Sequence, residues 1–531
     1  MLKKTTLYYH TIKYLKWIQI RYQLWYKIRN SIRRFSGFRY HFNKQIPDFE
    51  KIHFEGGLEN YDTFSGDNNF CFLNLKHSFG TTVDWDFSKL GKLWTYNLNY
   101  FEFLNQENNH QYQSEYHDLI HEFILKLPKL KNANEPFPTS LRIINWVKYF
   151  MTHDIDDQKW NTALYGQCYL LKDNIEYHLM GNHLLENGFA LTISGIYFQD
   201  TTLYSKGKNI LTAELHEQIL DDGAHFELSP MYHCLMLYRL LETIHILKSN
   251  VTLVNSGMGN QDAFLSYLVM KAEKMCGWLQ AMLYEDGSYP HFNDSADGIA
   301  PKPYDLMNYA EYLGINSMPT QLSDSGFRRI KNHTFDLIIK AGKIGPDYIP
   351  GHAHADSLSF VCSIDNQPVL VDPGISTYEK NQHRQKERKT SSHNTVTIKN
   401  LDSSQVWGGF RVGKRASTTI MNETSFSISI GHNGFASDHQ RDFEMHDDVI
   451  TITDTLRSKK AEAHFHFHPN ITLKMDHKRI QINNLAYLEF KNEVEIRKEE
   501  YQFSQGFNNT IASSKVIVSF SDQLKTILRK I

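Results

Sequence analysis

The stretch LSFVCSI, residues Leu358–Ile364, marks a change in the apolar pattern of this 531-residue chain. Apolar and polar side chains alternate in it, as they do in a β-strand with one buried face. The same period of two recurs in Thr395–Ile398, Phe426–Ile430 and His464–His468. Short alternating strands separated by turns predict an antiparallel β-sandwich, which we place at residues 326–531.

Upstream of this stretch, between residues 85 and 325, the apolar spacing is helical instead. In Leu119–Leu125 and Leu141–Val147 the apolar residues recur three and four positions apart. Similar spacing is found in residues 183–197, 209–220, 230–248 and 262–284. Amphipathic helices with no strands between them indicate stacked helical hairpins or a toroid, followed here by the sandwich.

The composition is globular and rich in aromatic residues, with 33 Phe, 29 Tyr and 8 Trp. Most of these rings belong in the core, and some suit a groove in which rings stack on sugars. The formal net charge of −2 provides no overall field that attracts a polyanion. We expect no nucleic-acid partner, and an acidic substrate would require a locally basic cleft. The five cysteines are odd in number and widely spaced, which predicts buried free thiols.

Residues 1–84 form an N-terminal segment whose first part is basic and aromatic. Residues 1–35 contain nine Lys and Arg residues and no acid, interleaved with apolar residues such as Trp17 and Trp25. Such a stretch either lies on an anionic membrane surface or packs as a helix on its own domain, and the pattern leaves both open. No run reaches the roughly 18 apolar residues of a transmembrane helix, and no secretory signal is recognisable. We expect a cytoplasmic protein or one peripheral at the inner membrane, with the periplasm as the alternative.

Four segments combine polar, aromatic and glycine residues more densely than packing requires. They are Gly181–Gly188, Asp221–His233, Gly351–Gly374 and Arg388–Val396. Each has a structural alternative when taken alone. Asn182, for example, suits the cap of the helix predicted after it.

The third and fourth segments together offer a set of metal ligands. His354, Asp372 and His393 supply two imidazoles and a carboxylate, the ligand types that Zn²⁺ accepts, with water free to take the fourth position. Asp372 follows an apolar strand and precedes Pro-Gly, so a rigid turn would hold it at the end of a sheet. The alternative is two surface histidines and an aspartate that caps a turn.

In this order, the four segments resemble the heparinase II/III-like polysaccharide lyases, a family that also includes alginate and oligo-alginate lyases. The resemblance spans roughly residues 85 to 470, and its most specific parts are His352-x-His354-x-Asp356, the Asp-Pro-Gly turn at 372–374 and Arg388-(x)4-His393-Asn-Thr-Val. It implies a multidomain α+β fold class, with an N-terminal (α/α) toroid at 85–325 followed by the C-terminal antiparallel β-sandwich.

The resemblance also implies catalytic residues. Asn182 and His183 match the pair that neutralises the uronate carboxylate, and Tyr232 matches the tyrosine that transfers protons at the cleavage site. His352 matches a histidine that reaches in from the sandwich. As an acid Tyr232 is suitable as it stands; as a base it would need positive charge nearby, such as His352 or Arg388, to lower its pKa.

The remaining implied residues bind metal or substrate. His354, Asp372 and His393 match the family's metal ligands, usually for zinc, and we assign this ion a structural role. Gly351 suggests a turn that could let one of His352 and His354 face the cleft and the other the metal, and we assign His354 to the metal; the competing arrangement uses both histidines as ligands. The expected substrate-binding residues are Tyr378, Arg388 and Arg239, with Arg388 alternatively fixing a loop.

The predicted activity is cleavage of a uronic-acid-containing polysaccharide or oligosaccharide by β-elimination. One alternative is a glycoside hydrolase on the same helical toroid, with a pair of carboxylates drawn from Asp222, Glu227, Asp286 and Asp294. Another is a non-catalytic glycan-binding or assembly protein of an envelope polysaccharide pathway.

Overall fold

The fold was analysed in a computed structural model that describes residues 2–458, 460–492 and 494–531. Two residues counted in the basic N-terminal segment, Lys3 and Lys4, have side chains outside the described part. The helices, in chain order, are α1 (Leu2–Ile12), α2 (Trp17–Phe35), α3 (Lys92–Tyr100), α4 (Gln113–Lys126), α5 (Pro136–Thr152), α6 (Gln158–Asp173), α7 (Gly181–Tyr197), α8 (Thr201–Gln218), α9 (Pro230–Ser249), α10 (Val251–Met258), α11 (Asp262–Met282), α12 (Pro303–Tyr312) and α13 (Gln382–Glu387).

Alternate helices of the first half form an inner layer. Helix α5 contacts α3 and α7, α7 also contacts α9, and α9 contacts α11. Helices α5, α7 and α9 are buried on almost every face, whereas α4, α6 and α8 pack on them and expose one face. A Cβ on Gly195 of α7 would lie 2.4 Å from the Tyr204 nitrogen, so α8 approaches α7 as closely as glycine permits. Helices that are buried all round belong inside, and the predicted toroid is confirmed.

The second half of the chain is antiparallel throughout its paired strands. Its larger sheet has the order β10-β11-β12-β13-β20-β17-β16-β15, and two four-stranded sheets have the orders β18-β19-β14-β7 and β3-β4-β5-β6. The strands are β1 (Asn69–Phe72), β2 (Leu75–Ser78), β3 (Phe327–Lys331), β4 (Phe335–Lys340), β5 (Phe360–Ile364), β6 (Gln367–Leu370), β7 (Val396–Ile398), β8 (Val406–Trp407), β9 (Arg411–Val412), β10 (Thr418–Glu423), β11 (Ser427–His432), β12 (His439–His446), β13 (Val449–Leu456), β14 (Ala461–His466), β15 (Leu473–Asp476), β16 (Arg479–Ile482), β17 (Ala486–Lys491), β18 (Glu495–Ser504), β19 (Thr510–Phe520) and β20 (Gln523–Lys530).

The sheet β3-β4-β5-β6 joins the two halves, because its central strands β4 and β5 are buried on both faces. Leu337 and Phe360 point into the sandwich core. Their neighbours Ile338 and Val361 instead pack with Trp278 of α11 in a separate core between the domains. Successive side chains of a strand point to opposite faces, so one pair of strands closes both cores. This sheet holds the loops after β4 and β6 against the helical domain.

The predicted sandwich is confirmed, and four of the five cysteines are buried. Cys71 is half-buried, and all five are free thiols.

The last helix before the main sheets ends at Tyr312 and the first strand after it begins at Phe327. Within the described residues, no helix combines the length and apolar character that crossing a bilayer requires.

Candidate active site

A cleft with a volume of about 610 Å³ lies where the toroid meets the sandwich. Asn182, Tyr232 and Arg239 line it from helices α7 and α9, and Tyr378 and Phe507 line it from the second half of the chain. Tyr232 is held in the first turn of α9 because the N-cap Ser229 accepts a hydrogen bond from the Tyr232 backbone at 3.2 Å. Two of the four predicted catalytic residues and two of the three predicted substrate-binding residues therefore line the same cleft.

Three of the aromatic side chains at this junction touch one another. The Tyr232 and Tyr378 hydroxyls are 3.0 Å apart. The His352 ring stacks on Tyr232 with its centroid 3.9 Å away, and its Nδ1 lies 3.4 Å from the Tyr378 hydroxyl. Tyr378, which was predicted as a substrate-binding residue, thus belongs to the same hydrogen-bonded group as Tyr232 and His352.

A buried carboxylate, Asp294, fixes this group from behind. One oxygen lies 2.8 Å from His352 Nδ1, and the other lies 2.8 Å from His354 Nε2. The Arg384 guanidinium donates to both oxygens, at 2.5 and 2.6 Å. Burial alone would raise the Asp294 pKa, but the charge of Arg384 and the hydrogen bonds from the two histidines lower it well below its usual value. Asp294 is therefore an anion at neutral pH.

The two cleft tyrosines are protonated in the resting site. Burial raises the pKa of Tyr232 well above its usual value, although the Tyr378 hydroxyl and the Arg384 charge partly oppose this effect. Burial likewise raises the pKa of Tyr378. The cation that we expected beside Tyr232 is therefore Arg384 rather than Arg388, and its charge is not enough to offset the effect of burial on the Tyr232 pKa.

Asn182 and His183 start helix α7 beside the cleft. The Asn182 backbone nitrogen lies 3.5 Å from a Glu227 carboxylate oxygen, and its side chain lines the cleft. The His183 ring packs on Phe137 with centroids 4.4 Å apart, and its Nδ1 lies 3.1 Å from Glu176. Although burial opposes it, the Glu176 carboxylate raises the His183 pKa. Asn182 thus faces the cleft directly, and His183 reaches it through Phe137.

The two predicted arginines are both committed to other groups. Arg239 lies at the cleft wall and donates to Glu242 at 2.8 Å, with Glu102 at 3.4 Å and Glu186 at 3.6 Å. Arg388 is fully buried and donates twice to the Ala353 carbonyl, at 2.8 and 3.1 Å. Arg388 therefore fixes the loop between His352 and His354, which is the second of its two expected roles, and does not line the cleft.

The predicted metal ligands lie together behind the cleft. His393 Nδ1 is 2.8 Å from Asp372, and the His354 and His393 rings are 5.2 Å apart. His354 Nδ1 and His393 Nε2 are buried and without a hydrogen-bond partner among the described residues. Two unpaired imidazole nitrogens beside a carboxylate are donors that fit Zn²⁺.

A further carboxylate, Asp356, also approaches this cluster. Its ligand atoms lie within 4.8 Å of those of Asp372 and His393. However, the Lys340 ammonium lies 2.6 and 2.7 Å from the two Asp356 oxygens, so this carboxylate already has a cation. His354 is not part of this closest group, so the set of His354, Asp372 and His393 remains a prediction that rests on the two unpaired imidazole nitrogens beside Asp372.

The carboxylates proposed for hydrolysis do not form a pair across the cleft. Asp222 accepts hydrogen bonds from Ser323 and Ser325, and Asp286 accepts from Ser288 within an exposed turn. Asp294 is already paired with Arg384. Glu227, whose carboxylate lies 3.6 Å from His352 Nε2, is therefore the only one of the four carboxylates that is near the site without an arginine partner. This arrangement does not support the hydrolase alternative.

The charge of the cleft differs from our expectation. Its wall carries one basic residue, Arg239, and seven acidic ones: Glu59, Asp62, Glu102, Glu107, Glu186, Asp297 and Asp305. Burial and the nearby charges of Glu107 and Asp62 raise the pKa of Glu59, so these three acids form one cluster. This wall is therefore not the locally basic cleft that we expected an acidic substrate to require.

Sequence reasoning missed the residues that position the site. Asp294 was considered only as a hydrolytic acid, and Arg384 was not considered at all. Arg384 lies one helical turn before Arg388, on α13, and this spacing was an available signal that both arginines support the same loop. Glu176, which bonds His183, lies in a segment without a recognisable motif.

Comparison with known proteins assigns the chain to a family. The Heparinase II/III N-terminus family model matches residues 9–317, and the Heparinase II/III-like, C-terminal model matches residues 315–529. These matches cover nearly the whole chain, so it belongs to the heparinase II/III-like family.

Individual relatives are distant. A heparin-sulfate lyase of Bacteroides stercoris is 26% identical over 263 residues, which span 43% of this chain and 37% of the relative's own length. The crystal structure of a heparinase III aligns with a TM-score of 0.67 at 15% identity, over 85% of this chain and 79% of that one. A chondroitinase AC lyase aligns with a TM-score of 0.51 at 10% identity, over 85% of this chain and 77% of that one. At these identities the structural matches establish the fold.

Proposed function

We propose that this chain is a polysaccharide lyase that cleaves a uronic-acid-containing polysaccharide by β-elimination. The observation that carries the proposal is the connected group of Tyr232, Tyr378 and His352, anchored on the Asp294 carboxylate, whose two tyrosines line the same cleft as Asn182. The family membership and the relatives named as lyases support the same reaction. Our proposal assigns a step of the reaction to each of these residues.

The substrate carboxylate must be neutralised before the adjacent C5–H becomes acidic. Asn182 lies in the first turn of α7, where its side-chain amide donates to the carboxylate and the helix N-terminus adds partial positive charge. Donors fixed in advance at the position where charge develops give a large part of catalysis. His183 supports this end of the cleft from behind Phe137.

His352 is the proposed base that removes the C5 proton. Asp294 remains an anion because of Arg384, so it accepts a hydrogen bond from His352 Nδ1–H at 2.8 Å. This tautomer leaves the lone pair on Nε2, as a buried aspartate does in other histidine-based catalysts. The same contact stabilises the imidazolium that forms when Nε2 takes the proton.

Tyr232 is the proposed acid. Its raised pKa keeps its proton in place until the glycosidic oxygen at C4 needs it. The electron pair of the broken C5–H bond forms the C4=C5 double bond, the C4–O bond breaks, and the leaving oxygen takes the Tyr232 proton. Tyr378, 3.0 Å away, donates to the phenolate oxygen that Tyr232 briefly carries.

Replacing Tyr232 tests the proposed reaction. Tyr232→Phe is expected to lower the rate at which the product's ultraviolet absorbance appears by about 10²- to 10⁴-fold, because the leaving oxygen loses its proton donor. Tyr61→Phe is the matched control, since Tyr61 also lines the cleft but donates only to the Ala300 carbonyl. Full activity of a folded Tyr232→Phe variant would exclude Tyr232 as the acid.

We further infer that the substrate has a low density of negative charge and is not sulfated. The cleft wall carries seven carboxylates and one arginine that is already paired, so closely spaced sulfates would be repelled. A single uronate at the cleavage site needs only the Asn182 donor and the helix N-terminus. Neutral sugars on either side of it would meet no electrostatic penalty.

A matched pair of polymers tests this inference. An unsulfated chain of alternating uronate and N-acetylhexosamine is expected to be cleaved, and its sulfated form to be cleaved at least tenfold more slowly. The double variant Asp62→Asn/Glu107→Gln is expected to reduce this preference, because it removes two negative charges from the wall. Preferential cleavage of the sulfated chain by the unchanged protein would contradict the inference without affecting the elimination reaction.

We also propose a structural zinc ion bound by His354, Asp372 and His393. The unpaired buried nitrogens of the two histidines and the adjacent carboxylate support it. When bound, the ion supplies no reaction chemistry in this proposal. These residues hold the turn after Asp372 and the loop that carries His352 in fixed positions.

A further inference from the structure

Helices α1 and α2 form an outward-facing apolar surface that the proposed reaction does not use. Among the side chains that the structure describes, 24 large apolar ones are exposed, and ten of these lie in residues 8–38. They are Tyr8, Tyr9, Ile12, Trp17, Leu24, Trp25, Ile28, Ile32, Phe35 and Phe38. Exposed apolar residues scattered singly are ordinary, but a contiguous patch marks an interaction site. We call these ten residues the N-terminal apolar face.

The face is built on one side of α2. Trp17, Leu24, Ile28, Ile32 and Phe35 follow one another at three-, four- and seven-residue spacings, which places them along one stripe of a helix. Their exposed fractions range from 53% at Leu24 to 96% at Phe35. The stripe therefore points away from the protein along the full length of α2.

The opposite side of α2 is firmly attached to the toroid. The Tyr26 hydroxyl donates to the Ile175 carbonyl at 2.5 Å, and Arg29 donates to the Asp173 carbonyl at 2.5 Å. Arg33 pairs with the Asp173 carboxylate at 2.5 Å, and Gln19 donates to the Leu179 carbonyl at 3.1 Å. These contacts hold α2 in a fixed orientation on the toroid. Its apolar face is therefore exposed while the helix is docked on its domain.

Helix α1 is attached to the sandwich domain at the same time. The Trp407 indole donates to the Thr11 hydroxyl at 3.3 Å, and the Trp407 ring meets Tyr8 edge-on at 5.4 Å. The Arg415 guanidinium lies 3.9 Å from the Tyr14 ring centroid. The two N-terminal helices thus contact both domains, and their exposed apolar residues face outward.

The charges around the apolar face indicate its partner. Lys16, Arg29 and Arg33 are used for contacts within the protein. Arg21, Lys27 and Arg34 are exposed beside the stripe, and residues 1–35 contain no acid that would neutralise them. An apolar stripe with aromatic residues and flanking cations matches the interfacial layer of a bilayer that contains anionic lipid.

We propose that the N-terminal apolar face docks this protein on an anionic lipid bilayer, with α2 parallel to the membrane plane. Trp17, Trp25 and Phe35 enter the boundary between headgroups and acyl chains. Arg21, Lys27 and Arg34 contact the lipid phosphates. The Asp173–Leu179 loop, which α2 covers, leads directly into the Asn182 end of the cleft, so docking places that end of the catalytic helix close to the membrane.

Vesicle flotation of the full chain tests the proposal. The protein is expected to float with vesicles of phosphatidylcholine mixed with phosphatidylglycerol and to bind less to pure phosphatidylcholine, with binding that weakens as salt rises. Trp25→Ser/Ile28→Ser is expected to weaken binding at least tenfold. Arg21→Gln/Lys27→Gln/Arg34→Gln is expected to weaken it about 100-fold, since each cation near an anionic surface contributes about fivefold.

Matched variants on the sandwich separate the effect of this face from general surface changes. Phe426 is 53% exposed, as Trp25 is, so Phe426→Ser is the apolar control. Lys474→Gln/Lys498→Gln/Lys525→Gln removes three exposed cations elsewhere. Both controls are expected to bind vesicles like the unchanged protein, and unfolding curves of all variants establish that they are folded.

Two results would overturn the proposal. The first is failure of the folded, unchanged chain to bind anionic vesicles. The second is a concentration-dependent dimer, seen by sedimentation velocity without lipid, that Trp25→Ser/Ile28→Ser converts to monomer while vesicle binding is unaffected. The face would then pair with a second copy of the chain. Neither outcome depends on the lyase reaction.

Discussion

His352 and His354 are two residues apart and bond to the same carboxylate, yet they belong to two different environments. On the cleft side, His352 stacks on Tyr232 and is hydrogen-bonded within a group that reaches solvent. On the buried side, His354 faces His393, and each ring keeps an unpaired nitrogen. In our proposal the difference separates the residues that transfer protons from those that would bind zinc, and the Asp294 carboxylate lies between the two histidines.

Removing Arg384 is expected to have the largest effect, because Arg384 holds the carboxylate that bonds both His352 and His354. Arg384→Met leaves Asp294 as a buried charge without its main partner, which should lower the free energy of unfolding by about 3–5 kcal/mol. Lyase activity should fall with it, because His352 loses its fixed orientation. Denaturant unfolding and product absorbance measure the two effects.

The comparison for Arg384 is an arginine paired at the surface. Arg497 bonds Glu462 at 2.9 Å with its side chain 39% exposed, so Arg497→Met should cost less than about 1 kcal/mol. Equal losses of unfolding free energy in the two variants would show that the buried Arg384–Asp294 pair contributes no more to stability than an exposed pair does.

Removal of zinc should affect the buried side alone. Purified protein is expected to contain about one zinc ion per chain, and its removal by a chelator should lower the melting temperature, since an ion at 1,000 times its Kd adds about 4 kcal/mol of stability. Asp372→Asn should reduce the zinc content, whereas Tyr378→Phe should not. Metal-free protein with undiminished stability would contradict the proposed zinc site.

Tyr378→Phe should affect the cleft side alone and least. The variant loses one hydrogen bond to the phenolate oxygen that Tyr232 forms, which corresponds to a roughly 10- to 100-fold lower kcat. KM and the unfolding free energy are expected to be unchanged, because Tyr378 is not needed to neutralise the substrate. A loss as large as that of Tyr232→Phe would instead identify Tyr378 as the acid.

The fold was largely predictable because its signals are local. The helical spacing in Leu141–Val147 and the alternation in Phe426–Ile430 both appear as predicted elements, α5 and β11. The alternation in Leu358–Ile364 was interpreted as a strand with one buried face, whereas β5 is buried on both. That difference arises because the second face is covered by the helical domain, which lies far away in the sequence.

The structure brings together several of the predicted site residues that lie in motifs, whereas residues outside the motifs were not predicted. Tyr232, His352 and Tyr378 meet, but Arg388 holds a loop while Arg384 holds the carboxylate. The acidic cleft wall was not foreseen, because Glu59, Asp62 and Asp305 come from separate segments with no motif. For the basic N-terminal helices the pattern allowed two interpretations, and α2 packs on its own domain while keeping its apolar stripe exposed.

The sequence by itself determined the order of helices and strands and the chemical types gathered at the site, since side-chain periodicity and motif spacing are properties of neighbouring residues. The tertiary structure alone decided which way His352 and His354 face and that Asp294, 90 residues before Arg384, is held as an anion between them. Burial and the distances between groups set charge states, and both arise only when distant segments pack together.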